Sequence, residues 1–372
     1  MDSKLDRFVG EQLRLARVAS ARSLDEIGRE VGATRQYIHQ METGAKSPSR
    51  DMMLALAEVL GITSRFLENR FKSAVQPEQV HFRKQATTPL FLSSQVLARG
   101  TILDRFVQEL GARVELPPVD FPDIPAQNLE DVERVAEEAR EHWGLGPAGP
   151  IVSMTRVVEN AGAIVTHFGG LSDRVDALSM DRPRPIIVRS SAKESACRLR
   201  FDLAHECGHL VMHHGIQTGD KETEDQAHRF ASAFLLPRAG FVSEFPRGRV
   251  LDWQAIFELK LRWRVAARAI VRRAYDLGLI TAAQYRTANI HLVKTGQAKS
   301  ERYDDELPLE EPELLNAALD TLDSSCSGAL QEITDEIGLD ERMFCLITGR
   351  SLPAAACNHG SNVVALAKRD NS

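Results

Sequence analysis

The chain has 372 residues, 43% of them hydrophobic and 26% charged, the make-up of a globular protein of two or three domains. Its formal net charge of -6 excludes a polyanion binder by bulk charge, so any nucleic-acid site must be local. The charged start MDSKLDRFVGEQ lacks a signal core, no stretch approaches the roughly 20 apolar residues of a membrane span, and five cysteines without a CxxC pair read as reduced thiols, so a cytoplasmic protein with no membrane contact is expected.

Residues 1–72 read as five short helices with tight breaks. Leu5, Phe8, Val9, Leu13 and Leu15 mark an amphipathic first helix. Ser23 with Glu26 three residues on forms a capping-box signature before LDEIGREVG, and Gly32 ends that helix. Thr34 caps RQYIHQME, Ser49 caps DMMLALAEVLG, and a last turn follows at TSRFLEN. Residues 73–127 form a linker and helical connector: QPEQVHFRKQATTP is polar and broken by prolines, FLSSQVLARGTILDRFVQELGA is a helix long enough to pair with another chain, and LPPVDFPDIPAQ is a proline-rich connection.

A new unit spans residues 128–296. LEDVERVAEEAREHWGL and MTRVVENAG read as helices, and AIVTHF, DALSM and PIIVRS as three short strands. AKESACRLRFDLAHECGHLVMHH is then a long, largely buried helix, followed by TEDQAHRFASAFLLP, which Pro237 stops, and by further helices. Residues 297–372 are a mostly helical C-terminal region with no assigned role. Its opening, ERYDDELPLEEPELLNAALDTLD, sets nine acidic residues against one basic and reads as a solvated face.

Helices two and three, split by the turn VGAT, form a helix-turn-helix candidate, with a generic helical bundle as the alternative. In the former geometry the second helix enters the major groove, and Thr34, Arg35, Gln36, Tyr37 and Gln40 face base edges. Arg forks onto guanine and Gln onto adenine. Residues 1–72 carry 12 Lys+Arg against 10 Asp+Glu, so phosphate contacts must be placed locally, from Lys46, Ser47, Arg50 and Arg35. The run from EQLRLARVAS to MMLALAEVLGI, with IHQMETG closing the recognition helix and an SP loop beyond it, resembles the XRE/Cro family of helix-turn-helix regulators. The resemblance implies a homodimer on a partly symmetric double-stranded DNA operator, and an Arg14–Glu42 pair inside the module.

In FDLAHECGHLVMHH, His205 and His209 are four residues apart and share one helix face, where two imidazoles can grip one zinc ion. Glu206 sits beside them, close enough to polarise a water there, which is the chemical content of HExxH. A buried helix with two satisfied histidines is the competing reading. A catalytic zinc needs a third protein ligand. The position six after His209 is Gly215, His213 and His214 precede it at the helix end, and Glu224 opens the following helix, whose Ala227 and Ala231 permit close approach. Glu224 is the better candidate.

PIIVRSSAKESACRLRFDLAHECGHLVMHH followed by ETEDQAHRFASAFLLP resembles the ImmA/IrrE family of metallo-endopeptidases, and flanking segments extend the likeness over roughly residues 129–295. The resemblance implies a zincin-like α+β domain with a small, about three-stranded sheet, His205, His209 and Glu224 as ligands of one Zn2+ per chain, and Glu206 as general base. His228, where that family often has Asn, is a candidate to support Glu224 from behind. Cys207 points about 200° away from the ligand face and reads as core. Cys326, Cys345 and Cys357 read as buried thiols, with a thiolate that silences the metal as the sharper alternative. The whole is expected to be a mainly α multi-domain transcriptional regulator with a zinc endopeptidase domain that cuts a repressor, a partner or itself in a stress or mobile-element response. The alternative is a helix-turn-helix factor whose zinc domain senses or dimerises without cutting.

Overall fold

In the N-terminal unit, side-chain oxygens meet free backbone N–H groups where helices start. Its helices are α1 (Gly10–Ala19), α2 (Leu24–Glu30), α3 (Arg35–Glu42), α4 (Arg50–Leu60) and α5 (Ser64–Glu68). A computed structural model describes residues 8–71, 73–82, 90–170, 177–190, 195–325, 328–352 and 364–365 of the chain. Ser23 and Glu26 cap each other's backbone on α2, and Thr34 and Ser49 accept from Tyr37 and Met52 N–H at the starts of α3 and α4. Ile27, Ile38, Met41 and Leu56 are fully buried between the helices. Glu42 pairs with Arg17 at 2.5 Å and 3.0 Å, which corrects the expected Arg14–Glu42 pair. Positions 14 and 17 are one turn apart on the same face of α1, so spacing alone does not choose between them.

The connector contributes strand β1 (Val80–Phe82), helix α6 (Leu90–Gly111) and the two-residue strand β2 (Val114–Glu115). α6 does not offer a free face to another chain, as its sequence alone allowed. Val96, Ile102, Leu103, Phe106 and Leu110 are buried in one hydrophobic core with the N-terminal helices and the C-terminal region. Arg99 on α6 donates to the carbonyls of Ala19 at 2.9 Å and Gly169 at 2.5 Å, joining α1 to the next unit.

That unit holds α7 (Val132–His142), α8 (Met154–Asn160), β3 (Ile164–Thr166), β4 (Ala177–Met180), β5 (Ile186–Arg189), α9 (Ala196–Met212), α10 (Lys221–Leu235), α11 (Arg238–Glu244), α12 (Trp253–Trp263), α13 (Ala267–Asp276) and α14 (Ala282–Lys294). The sheet order is β1-β4-β5-β3; β3 and β5 are parallel and the other pairs antiparallel. The fourth strand comes from the connector, a segment whose polar, proline-broken sequence gives no strand signal. Side-chain alternation splits the sheet between two cores. Ile186 and Val188 face the core of α6 and the N-terminal helices, while Ile187 and Val165 face α9 and α10.

The C-terminal region adds α15 (Leu314–Ser325), α16 (Ala329–Ile337), α17 (Glu341–Thr348) and strand β6 (Val364–Ala365), which pairs parallel with β2. The acidic run before α15 is only in part a solvated face: Asp305, Glu306 and Glu311 are exposed, but other members turn inward. Glu301 is buried, contacts Lys260 Nζ at 3.3 Å and accepts from the Ala267 and Arg268 N–H groups at the start of α13. Asp304 meets Lys260 at 2.6 Å, and Glu310 pairs with Arg200. The basic partners lie far away in sequence, which is why the run reads as a solvent face until the chain is folded. The C-terminal helices dock on the N-terminal unit: Thr63 N–H donates to Gly338 O at 2.8 Å. Gly338 has φ +91, and a Cβ there would lie 2.3 Å from Phe66 N, so only glycine permits this approach. Cys345 is exposed on α17; Cys326 and Cys357 lie outside the described residues.

Candidate metal centre

α9 and α10 pack so closely that a Cβ on Gly208 would lie 2.8 Å from the Phe230 ring. Asp220 caps α10 by accepting from Glu222 and Thr223 N–H, which sets the start of the helix and points Glu224, in its first turn, at α9. His205, His209 and Glu224 thereby bring three donor atoms within 4.8 Å of one another. His205 Nε2 and His209 Nε2 are 3.2 Å apart, and the Glu224 oxygens lie 3.4 Å and 3.6 Å from them. A tetrahedral ion with donors at about 2.0–2.1 Å needs those donors about 3.3–3.4 Å apart. Both Glu224 oxygens are buried and have no hydrogen-bond donor among the described residues. A buried carboxylate facing two imidazoles without a donor fits a cation and is otherwise costly.

The charge states agree with that fit. Burial pushes His209 down to about 4, so the ring is neutral and its lone pair is free. Burial raises the Glu224 carboxyl, but His205 and His209 outweigh it and hold Glu224 well below the ordinary carboxylate range. Glu206 is buried and pushed up to about 7 by that burial, against the opposing pull of His205 and the Ser179 hydroxyl. Ser179 Oγ on β4 donates to Glu206 Oε2 at 2.6 Å.

Residues 159–275 match the family described as the IrrE N-terminal-like domain, and residues 9–66 match a helix-turn-helix domain. The chain joins a helix-turn-helix domain to an IrrE-like metallopeptidase-type domain. The first match falls inside the stretch of residues 129–295 whose motifs resemble that family, and the second spans the whole run from EQLRLARVAS to MMLALAEVLGI. No curated protein matches the chain. Among the described residues no helix is long and apolar enough to cross a membrane.

Three groups around the IrrE-like cluster carry no signal in the sequence. The first is Ser179. The second is Gln226, whose Oε1 lies 2.8 Å from His213 Nε2, while His213 Nδ1 lies 2.9 Å from His209 Nδ1. With the amide carbonyl facing it, His213 carries its proton on Nε2 and accepts on Nδ1. His209 then donates from Nδ1 and turns a lone pair on Nε2 to the cluster. His213, considered from its spacing as a competing ligand, thus stands behind His209 instead. His214 is exposed and pairs with Asp181 at 2.9 Å. The third is His81 of β1, which stacks on His209 with centroids 5.0 Å apart. His228 lies against Phe201 at 4.9 Å and His205 at 6.5 Å between ring centroids. Cys207 is buried in the core behind α9, and its thiol is pushed up by burial.

In the helix-turn-helix domain, Thr34, Arg35 and Gln36 are exposed at the start of α3, and Tyr37 and Gln40 are half-buried along the same helix. Arg35 reaches Asp25 at 3.3 Å across an exposed gap, and Lys46 Nζ lies over the Tyr37 ring at 5.4 Å. Ser47 and Arg50 are exposed beside them. These weak, solvated contacts leave the polar groups free to be exchanged for phosphates and base edges.

Proposed function

We propose that the chain is a DNA-binding transcriptional regulator whose second domain is a zinc-dependent endopeptidase. One Zn2+ per chain sits on His205, His209 and Glu224, and Glu206 is the general base. The protein cut is a repressor, a partner or the chain itself, and cutting switches expression in a stress or mobile-element response. The observation that carries this reading is the meeting of three donors at near-tetrahedral separations beside a carboxylate anchored by Ser179. A bound zinc supplies Lewis acidity toward the attacking water and the scissile carbonyl. Glu206 takes the proton of that water and returns it to the departing amide nitrogen, a task suited to a carboxyl raised to about 7 by burial. Ser179 occupies Oε2 and leaves Oε1 for the water. Gln226 and His213 keep His209 in the ligating tautomer, and His228 supports His205 and Glu224 from the side. The helix-turn-helix half acts as a homodimer in the cytoplasm, reading an operator with Thr34, Arg35, Gln36, Tyr37 and Gln40 and holding phosphates with Lys46, Ser47 and Arg50.

A second reading, a zinc domain that senses or dimerises without cutting, draws on the burial of Glu206 and His209. Glu206→Gln decides between them. Zinc content should stay at the wild-type level while fragment formation and de-repression fall by about 10²–10⁴-fold. Regulation identical to wild type under every inducing condition supports the sensor, and purified wild-type protein that takes up no zinc removes both readings.

A further inference from the structure

β1 lies on the edge of β4 at the cluster. His81 stands opposite Ser179, the residue whose hydroxyl holds Glu206. Asp181 N–H donates to Gln79 O at 2.7 Å. In an antiparallel ladder the hydrogen-bonded pairs alternate, so His81–Ser179 is the next bonded pair and Val80–Met180 the non-bonded pair between them. The strand therefore occupies the backbone groups of β4 closest to the general base. Its side chain closes the site: His81 is 1% exposed, its ring lies within 6° of parallel to that of His209, and its Nδ1 meets Thr218 Oγ1 at 2.8 Å. His81 Nε2 is buried and has no hydrogen-bond partner among the described residues, a cost that release of the strand would remove. Beneath it Glu206 is 2% exposed and His209 1%. With this strand in place the general base candidate and His209 are closed to solvent.

The strand is short and, among the described residues, paired on one side only, the arrangement that an incoming extended peptide exchanges with. A groove lined by Gln79, Phe121, Asp181, Leu210 and His214 lies at the same edge. The base of β1 is tethered: Arg182 holds Gln79 at 2.8 Å and Asp104 of α6 at 2.6 Å.

We propose that the β4 edge beside the metal cluster is a docking edge for one extended peptide segment, that residues Gln79–Phe82 of this chain are its resident occupant, and that a protein substrate reaches Glu206 only by taking their place. The proposal rests on the zinc endopeptidase reading and adds its regulation. The strand is a strap in cis, and α6 ties it to the same core as the helix-turn-helix domain.

The test uses the zinc-loaded full chain and a tripeptidyl hydroxamate as probe, with zinc content measured in every sample. Val80→Cys with Met180→Cys places a cross-strand disulfide at the non-bonded pair. Oxidised, this protein should bind the probe at least 10-fold more weakly than the same protein reduced by a phosphine, so the comparison does not depend on how the variant folds. His81→Ala should bind at least 10-fold more tightly than wild type. Equal affinities in the oxidised and reduced protein, or no binding by the zinc-loaded reduced and His81→Ala forms, overturn the strap. A wild-type chain that takes up no zinc fails the zinc reading instead.

Discussion

The two functional regions are built on opposite principles. In the helix-turn-helix domain the helix caps are local: each reaches its partner three residues on, and the candidate DNA-facing residues Thr34, Arg35 and Gln36 stand exposed at the start of one short helix, with Tyr37 and Gln40 half-buried along it. In the metallopeptidase domain His205, Glu206 and His209 are buried and Glu224 is half-buried, and their partners come from β1, β4, α9 and α10. The difference follows from what each region must do. A DNA-reading face needs solvated polar groups that swap partners at little cost, while a metal site needs neutral imidazoles and an anion already held in place at low dielectric.

Because the two regions share no working residue, either should be emptied without touching the other. Glu224→Ala should lower zinc affinity on the order of a thousandfold, as one of three donors is lost, and leave operator binding unchanged in a mobility-shift titration. Arg35→Ala with Gln36→Ala should do the reverse. Specific operator affinity falls by about 2–6 kcal/mol with two base contacts gone, while zinc measured by mass spectrometry stays at one per chain.

Glu159 tests the interface between the metallopeptidase domain and the C-terminal helices. It accepts from Glu313 and Leu314 N–H at the start of α15, and burial pushes its carboxyl up to about 7 from the ordinary 4.5. The folded chain then keeps a proton that the unfolded chain has lost. This stabilisation is complete below about 4.5 and is lost as pH rises through about 7, by on the order of 3 kcal/mol. Glu159→Gln keeps both contacts as an acceptor, so denaturant titrations between those pH values should lose that slope.

The smallest effect isolates the relay behind His209. Gln226→Glu keeps an acceptor facing His213 and should hold zinc affinity near wild type. Gln226→Lys offers only donors, forces the opposite tautomer on His213, and should weaken zinc binding by about 10–100-fold. Equal affinities in the two variants would leave Gln226 with a packing role alone.

Much of the fold was readable because it depends on short-range chemistry. Ser23, Thr34 and Ser49 marked helix starts that the structure keeps, Pro237 stops α10, and the spacing of His205 and His209 placed them on one face. Glu224 was readable only because α10 follows α9 directly and small residues let the two approach. The Arg17–Glu42 pair, the fourth strand and the clamp of Glu301 and Asp304 on Lys260 were not, since each joins segments whose separation carries no periodic signal.

By itself, then, the sequence determined where helices begin, which face of α9 bears the two imidazoles, and which short helix presents Arg35 and Gln36. These follow from backbone capping and a 3.6-residue repeat, both local. Only the tertiary structure decided that α6 is buried, that Gln226 and His213 stand behind His209, and that His81 covers the cluster from β1. Those contacts arise when apolar faces from distant segments share two cores, and the polar groups carried in with them must find partners where water is gone.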